Sequence, residues 1–121
     1  MTTKDYSIHD DPRRTYEGTY HDHAVDQWAV RVRVKDSREI APLDPCIKMV
    51  NHSPTGFAWG YQGSGPAQLA YALLYHVTRD QETAQRFYQR FKSDVIGAMP
   101  MEDNWKLSYN DIVGWLGEDA E

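Results

Sequence analysis

Residues 27–35 read QWAVRVRVK, and this alternation limits the fold more than any other stretch of the chain. Trp28, Val30, Val32 and Val34 alternate with Ala29, Arg31, Arg33 and Lys35. A period of two sends the first set to one face of a strand and the second set to the other. One face then needs apolar cover and the other is wet, which is the pattern of an antiparallel sheet covered on one side. The chain must supply both further strands and something apolar to lie across them.

Both are legible. Residues 14–20, RTYEGTY, are rich in Thr and Tyr and read as a short strand. IAPLDPCIKMV holds two prolines, so only a short edge strand fits there, around Ile47 to Val50. A first helix is expected from about Pro66 to Thr78, with Leu69, Ala70, Leu73, Leu74 and Val77 as a broad apolar stripe. Pro66 suits a first helical turn, where its missing N–H costs nothing. A second helix is expected over Gln81 to Met99, capped by Asp80 and stopped by Pro100. Trp105 and Leu107 alternate as a short strand. Ser108 and Asp111 then stand at capping-box spacing before a short helix, Tyr109 to Leu116.

The summed expectation is an α+β fold: a small antiparallel sheet of three to four strands, packed by two longer helices and a short C-terminal helix. Its 121 residues make one domain. The expected division is a loose polar arm over 1–13, the domain over 14–117 and an acidic tail over 118–121. Eighteen acidic residues against 13 basic ones leave a net charge of −5, which argues against general nucleic-acid binding. With no apolar N-terminal stretch and no run near the ~20 apolar residues of a membrane span, a soluble cytoplasmic protein is expected. The single cysteine, Cys46, has no internal disulfide partner and reads as a small buried hydrophobe.

Residues 51–70, NHSPTGFAWGYQGSGPAQLA, gather four of the eight glycines, two prolines and three aromatics. Phe57, Trp59 and Tyr61 alternate and would share one face of a strand. Gly63 and Gly65 bracket Ser64 directly before Pro66. A glycine turn leading into a helix presents backbone N–H groups with no intrahelical partner, and these attract anions. The expected site is an anion, nucleotide-like in the fullest reading, at Gly63–Ala67, with Trp59 or Tyr61 stacked on its ring. His52 and Gln68 would add hydrogen bonds. Neither a Walker A ending nor G-x-G-x-x-G spacing is present, and no cofactor is expected. The bland alternative is a strand packed tightly on a helix, with Ser64 as its cap.

Other constellations carry less. His52 or His76 could serve Ser53 or Ser64 as base in a small hydrolase, but no third group is fixed and the G-x-S-x-G elbow is absent. His21 and His23, with Asp22 or Asp26, lack the paired spacing of a zinc site, so no metal is expected. The Arg31, Arg33 and Lys35 row and the Arg86 and Arg90 pair read as solvated faces. Tyr71, Tyr75 and Tyr88 could form an exposed aromatic edge, which would suit a partner protein or a second copy.

The run NHSPTGFAWGYQGSGPAQLAYALL, followed by RFYQRFKSDVI and WKLSYNDI, resembles an uncharacterised small-domain family of bacteria, archaea and their phages. Its core is H-S-P-x-G-F-x-W-G-Y-x-G-S-G-P-A-Q-L-A. Many members carry Glu between Phe and Trp, where this chain has Ala58. The resemblance implies a stand-alone domain often carried on mobile elements, and no reaction. The motif points to His52, Ser53, Trp59, Tyr61, Gly63, Ser64, Gly65 and Gln68. The leading expectation is a non-enzymatic phage-type binding protein that takes a small anion to counter a host process. A protein–protein inhibitor or adaptor and a His/Ser hydrolase are the alternatives.

Overall fold

A computed structural model describes residues 13–20, 30–36, 39–52 and 56–119. The expected arm up to residue 12, the HDH cluster, Trp28, Ser53 and Pro54 lie outside these residues. Strands β1 (Thr15–Tyr20), β2 (Val30–Lys35), β3 (Ile40–Pro42) and β4 (Trp105–Ser108) form one antiparallel sheet in the order β3-β2-β1-β4. Helices α1 (Ser64–Thr78), α2 (Gln81–Phe91) and α3 (Tyr109–Asp119) complete the α+β fold, with a π-helical turn, Lys92–Ile96, after α2.

The alternation in β2 holds where the strand is described. Val32 is buried, Val34 is half-buried, and Arg31, Arg33 and Lys35 are exposed. Register carries the apolar face across the sheet. Tyr16 stands between Val34 and Leu107, and Gly18 between Val32 and Trp105. The Trp105 ring lies over Gly18, where any Cβ would strike it, and meets Trp59 edge to face at 5.6 Å.

α1 is the spine of the core. Every residue from Gly65 to Leu74 is buried, so its apolar surface is a full circumference rather than a stripe. Gly63 is its N-cap, and Ser64 is the exposed first residue rather than a cap. Arg79, left-handed at φ 55, breaks the helix, and Asp80 starts α2 by accepting the Glu82 N–H at 3.3 Å. α2 buries Ala84, Tyr88 and Phe91. The expected run to Met99 is shorter: the chain widens into the π turn at Lys92, and the helical run ends at Ile96. At α3 the capping box forms in full. Asp111 N–H donates to the Ser108 hydroxyl and Ser108 N–H to the Asp111 carboxylate, both at 2.9 Å.

Two expected strands are corrected. Ile47–Val50 is a turn in which Met49 and Val50 N–H both donate to the Cys46 carbonyl, and the edge strand is Ile40–Pro42 instead. Residues 57–61 are not a strand. Gly60 takes φ 89 and donates its N–H to the Ile96 carbonyl, so the chain bends away from extended geometry. Its φ and its approach to the Met101 backbone leave no place for a side chain.

Candidate functional site

The bend at Gly60 sends the three aromatics of the glycine-rich segment to different environments. Phe57 is half-buried, Trp59 is 2% exposed and Tyr61 is 44% exposed. Trp59 donates its indole N–H to the Asp103 carbonyl at 3.0 Å and packs on Trp105. It is a core residue with no ring face open for stacking, contrary to the sequence expectation. Tyr61 folds back over Gly63. A Cβ at Gly65 would lie 2.7 Å from the Ala58 Cβ, so that glycine permits close approach of loop and helix.

Gln68 is also structural. It is fully buried, donates to the carbonyls of Pro45 (2.6 Å) and Val50 (3.1 Å), and accepts the His52 N–H at 2.7 Å. One amide side chain thus clamps the loop over residues 45–52 onto α1. His52 stacks on Tyr88 at 4.9 Å, and no hydrogen bond joins its ring to a serine among the described residues. Ser64 and His76 lie at opposite ends of α1, about 18 Å apart by helical rise. No Ser–His pair is assembled among the described residues. Of the expected ligand residues, only Tyr61 and Ser64 offer exposed side chains, beside the first-turn N–H groups of α1.

At the other end of α1 lies an arrangement that the sequence reading missed. Arg14, immediately before β1, is 0% exposed, and none of its three guanidinium nitrogens has a hydrogen-bond partner. Its backbone is fixed where its carbonyl accepts the Tyr109 N–H at 2.9 Å. Arg14 and Tyr16 share parity along the chain, so both face inward. Tyr16 is fully buried, with its hydroxyl 2.9 Å from His76 Nδ1. Burial pushes its phenol up to about 12, against the pull of the neighbouring Arg14 guanidinium. Tyr16 is therefore protonated at neutral pH and shares a hydrogen bond with His76 Nδ1, its direction set by the imidazole tautomer. A neutral phenol does not itself compensate the charge on Arg14.

Arg14 and His76 form part of the wall of a cavity of about 80 Å³, together with Val34, Asp36, Glu39 and Ala41. A second cavity of about 150 Å³ shares Pro42 and His76 with it and adds Asp44, Cys46, Tyr75 and Arg79. Cys46 is held at φ 60, with its N–H donating to Asp44 Oδ1 at 3.0 Å. Burial pushes its thiol up to about 11, and the Asp44 carboxylate adds to the rise. That places it far from thiolate chemistry at neutral pH. The signal that could have revealed Arg14 is an arginine in phase with the apolar face of a strand.

The expected aromatic edge is corrected as well. Tyr71 and Tyr88 are buried and meet edge to face at 5.8 Å, and Tyr75 is half-buried under the Arg79 guanidinium. Among the described residues no group of three or more His, Cys, Asp and Glu could hold a metal ion, and no helix is long and apolar enough to cross a membrane.

No curated protein and no solved structure matches the chain. Residues 16–118 match DUF6166, a family of unknown function, and Arg14 stands two residues ahead of that span. The chain belongs to this family of unknown function.

Proposed function

We propose that this protein is a non-enzymatic binding protein that takes a small anion beside Arg14. The observation that carries the reading is a fully buried guanidinium without a hydrogen-bond partner in the wall of a cavity. A guanidinium keeps its charge in proteins. An uncompensated buried charge costs several kcal/mol. An anion in the cavity beside it offsets that cost by Coulomb attraction. The ligand class expected from the sequence is retained and its position moves. The glycine turn offers only a helix end, and its Gly60, Gly65, Trp59 and Gln68 are accounted for by packing. In the phage or mobile-element setting that the resemblance implies, such a protein would sequester a host signal.

Thermal unfolding in phosphate and in acetate, against chloride at equal ionic strength, tests this. At a hundredfold excess over Kd the wild type gains about 2.7 kcal/mol. Arg14→Met, which keeps the volume and removes the charge, gains nothing from either anion. A wild type that melts identically in all three salts would refute the reading. A second reading, a protein-binding inhibitor or adaptor, is favoured by one observation: Tyr61 and Met101 are both exposed where Gly60 packs on the Met101 backbone. Loss of partner capture in Tyr61→Ala with Arg14→Met unaffected would select it.

A further inference from the structure

The cavity wall carries charges of both signs, at different depths. Arg14 is fully buried, whereas Glu39 is exposed and Asp36 is half-buried. Two hydrogen bonds join the two acidic residues. Asp36 N–H donates to the Glu39 carbonyl at 3.0 Å, and Glu39 N–H donates to Asp36 Oδ1 at 2.9 Å. Among the described lining residues the cation is thus the deepest, and the carboxylates lie nearer the surface. In the neighbouring cavity Asp44 and Arg79 repeat the pairing of signs.

A bare anion entering this site is attracted at depth and repelled nearer the surface. A molecule with an anionic group at one end and an ammonium at the other meets no such conflict. Size favours the same class. Cavities of about 80 and 150 Å³ fall together below the roughly 300 Å³ at which pockets begin to enclose drug-sized ligands. That space suits an amino acid better than a nucleotide.

We infer that the site takes a small zwitterion of the amino-acid class, its carboxylate beside Arg14 and its ammonium toward Glu39 and Asp36. The inference rests on the anion reading above and specifies its ligand. Glu39 is the residue that sets the preference, because it penalises a plain anion and rewards an ammonium.

Titration calorimetry of the full chain with butyrate, butylamine and γ-aminobutyrate tests it. Glycine, β-alanine and δ-aminovalerate vary the spacing between the charged ends. At the best spacing the zwitterion binds at least about tenfold tighter than the matched carboxylate, a difference of ~1.4 kcal/mol. Glu39→Gln weakens the zwitterion and tightens the plain carboxylate, which a structural role for Glu39 would not do. Carboxylate and zwitterion binding equally, both unmoved by Glu39→Gln, would overturn this inference and leave the anion site standing. No binding of phosphate, acetate or any amino acid would overturn both.

Discussion

Replacing Tyr16 by Phe should reverse its effect on stability between neutral and alkaline pH. The hydroxyl is fully buried and shares with His76 a hydrogen bond of 2.9 Å. At neutral pH its loss should cost about 1 kcal/mol, the usual net worth of such a bond. The alkaline limb follows from linkage. Burial raises the phenol from 10.0 to about 12 in the folded chain. Above pH 10 the unfolded chain releases this proton and the folded chain holds it, so stability is lost as pH rises towards 12. Two pKa steps correspond to about 2.7 kcal/mol at the limit, and to roughly 1.4 kcal/mol by pH 11. The Tyr16→Phe variant has no phenol to titrate and carries no such loss. Denaturant unfolding of both proteins across this range gives the difference curve, in which the other tyrosines and lysines cancel. The wild type should lead by about 1 kcal/mol near neutrality and fall level with, or below, the variant by about pH 11. Parallel curves, or a native phenolate signal from Tyr16 near pH 10, would refute the argument from burial.

Trp59→Ala should lose about 3–5 kcal/mol in chemical denaturation, because it empties a buried indole site and strands the Asp103 carbonyl. A loss under 1 kcal/mol would return Trp59 to the surface. Ser108→Ala should cost about 1 kcal/mol by the same assay, through loss of the cap on Asp111 N–H. The Cys46 thiol, buried and raised to about 11, should react with a thiol reagent at neutral pH only at the rate of unfolding, and promptly in denaturant. Fast labelling of the native protein would show that the wall of the second cavity opens freely.

Much of the fold is written in local patterns. The alternation through Val32 and Val34, the Asp80 cap and the Ser108–Asp111 box depend on residues within a few positions of each other, and each appears as expected. The glycine-rich segment misled because its alternation is strand-like while Gly60 takes a left-handed bend. Spacing along the chain gives no sign of which glycines will turn. Gln68 misled for a related reason. Its amide chemistry would serve a ligand or a loop equally well, and only the fold brings the carbonyls of Pro45 and Val50 within reach.

The sequence by itself determined which segments are helix and strand over most of the chain, and that the sheet would be covered on one face. Those outcomes follow from periodicity and capping, which act over a few residues. Only the tertiary structure brought together the residues on which the proposed site rests. Arg14 and His76 are 62 positions apart and line one cavity only because the fold seats Tyr16 of β1 against His76 near the end of α1. An arginine reads as a surface residue until the fold removes it from water. Buried with no hydrogen bond to its guanidinium, it is the residue on which the proposed site rests.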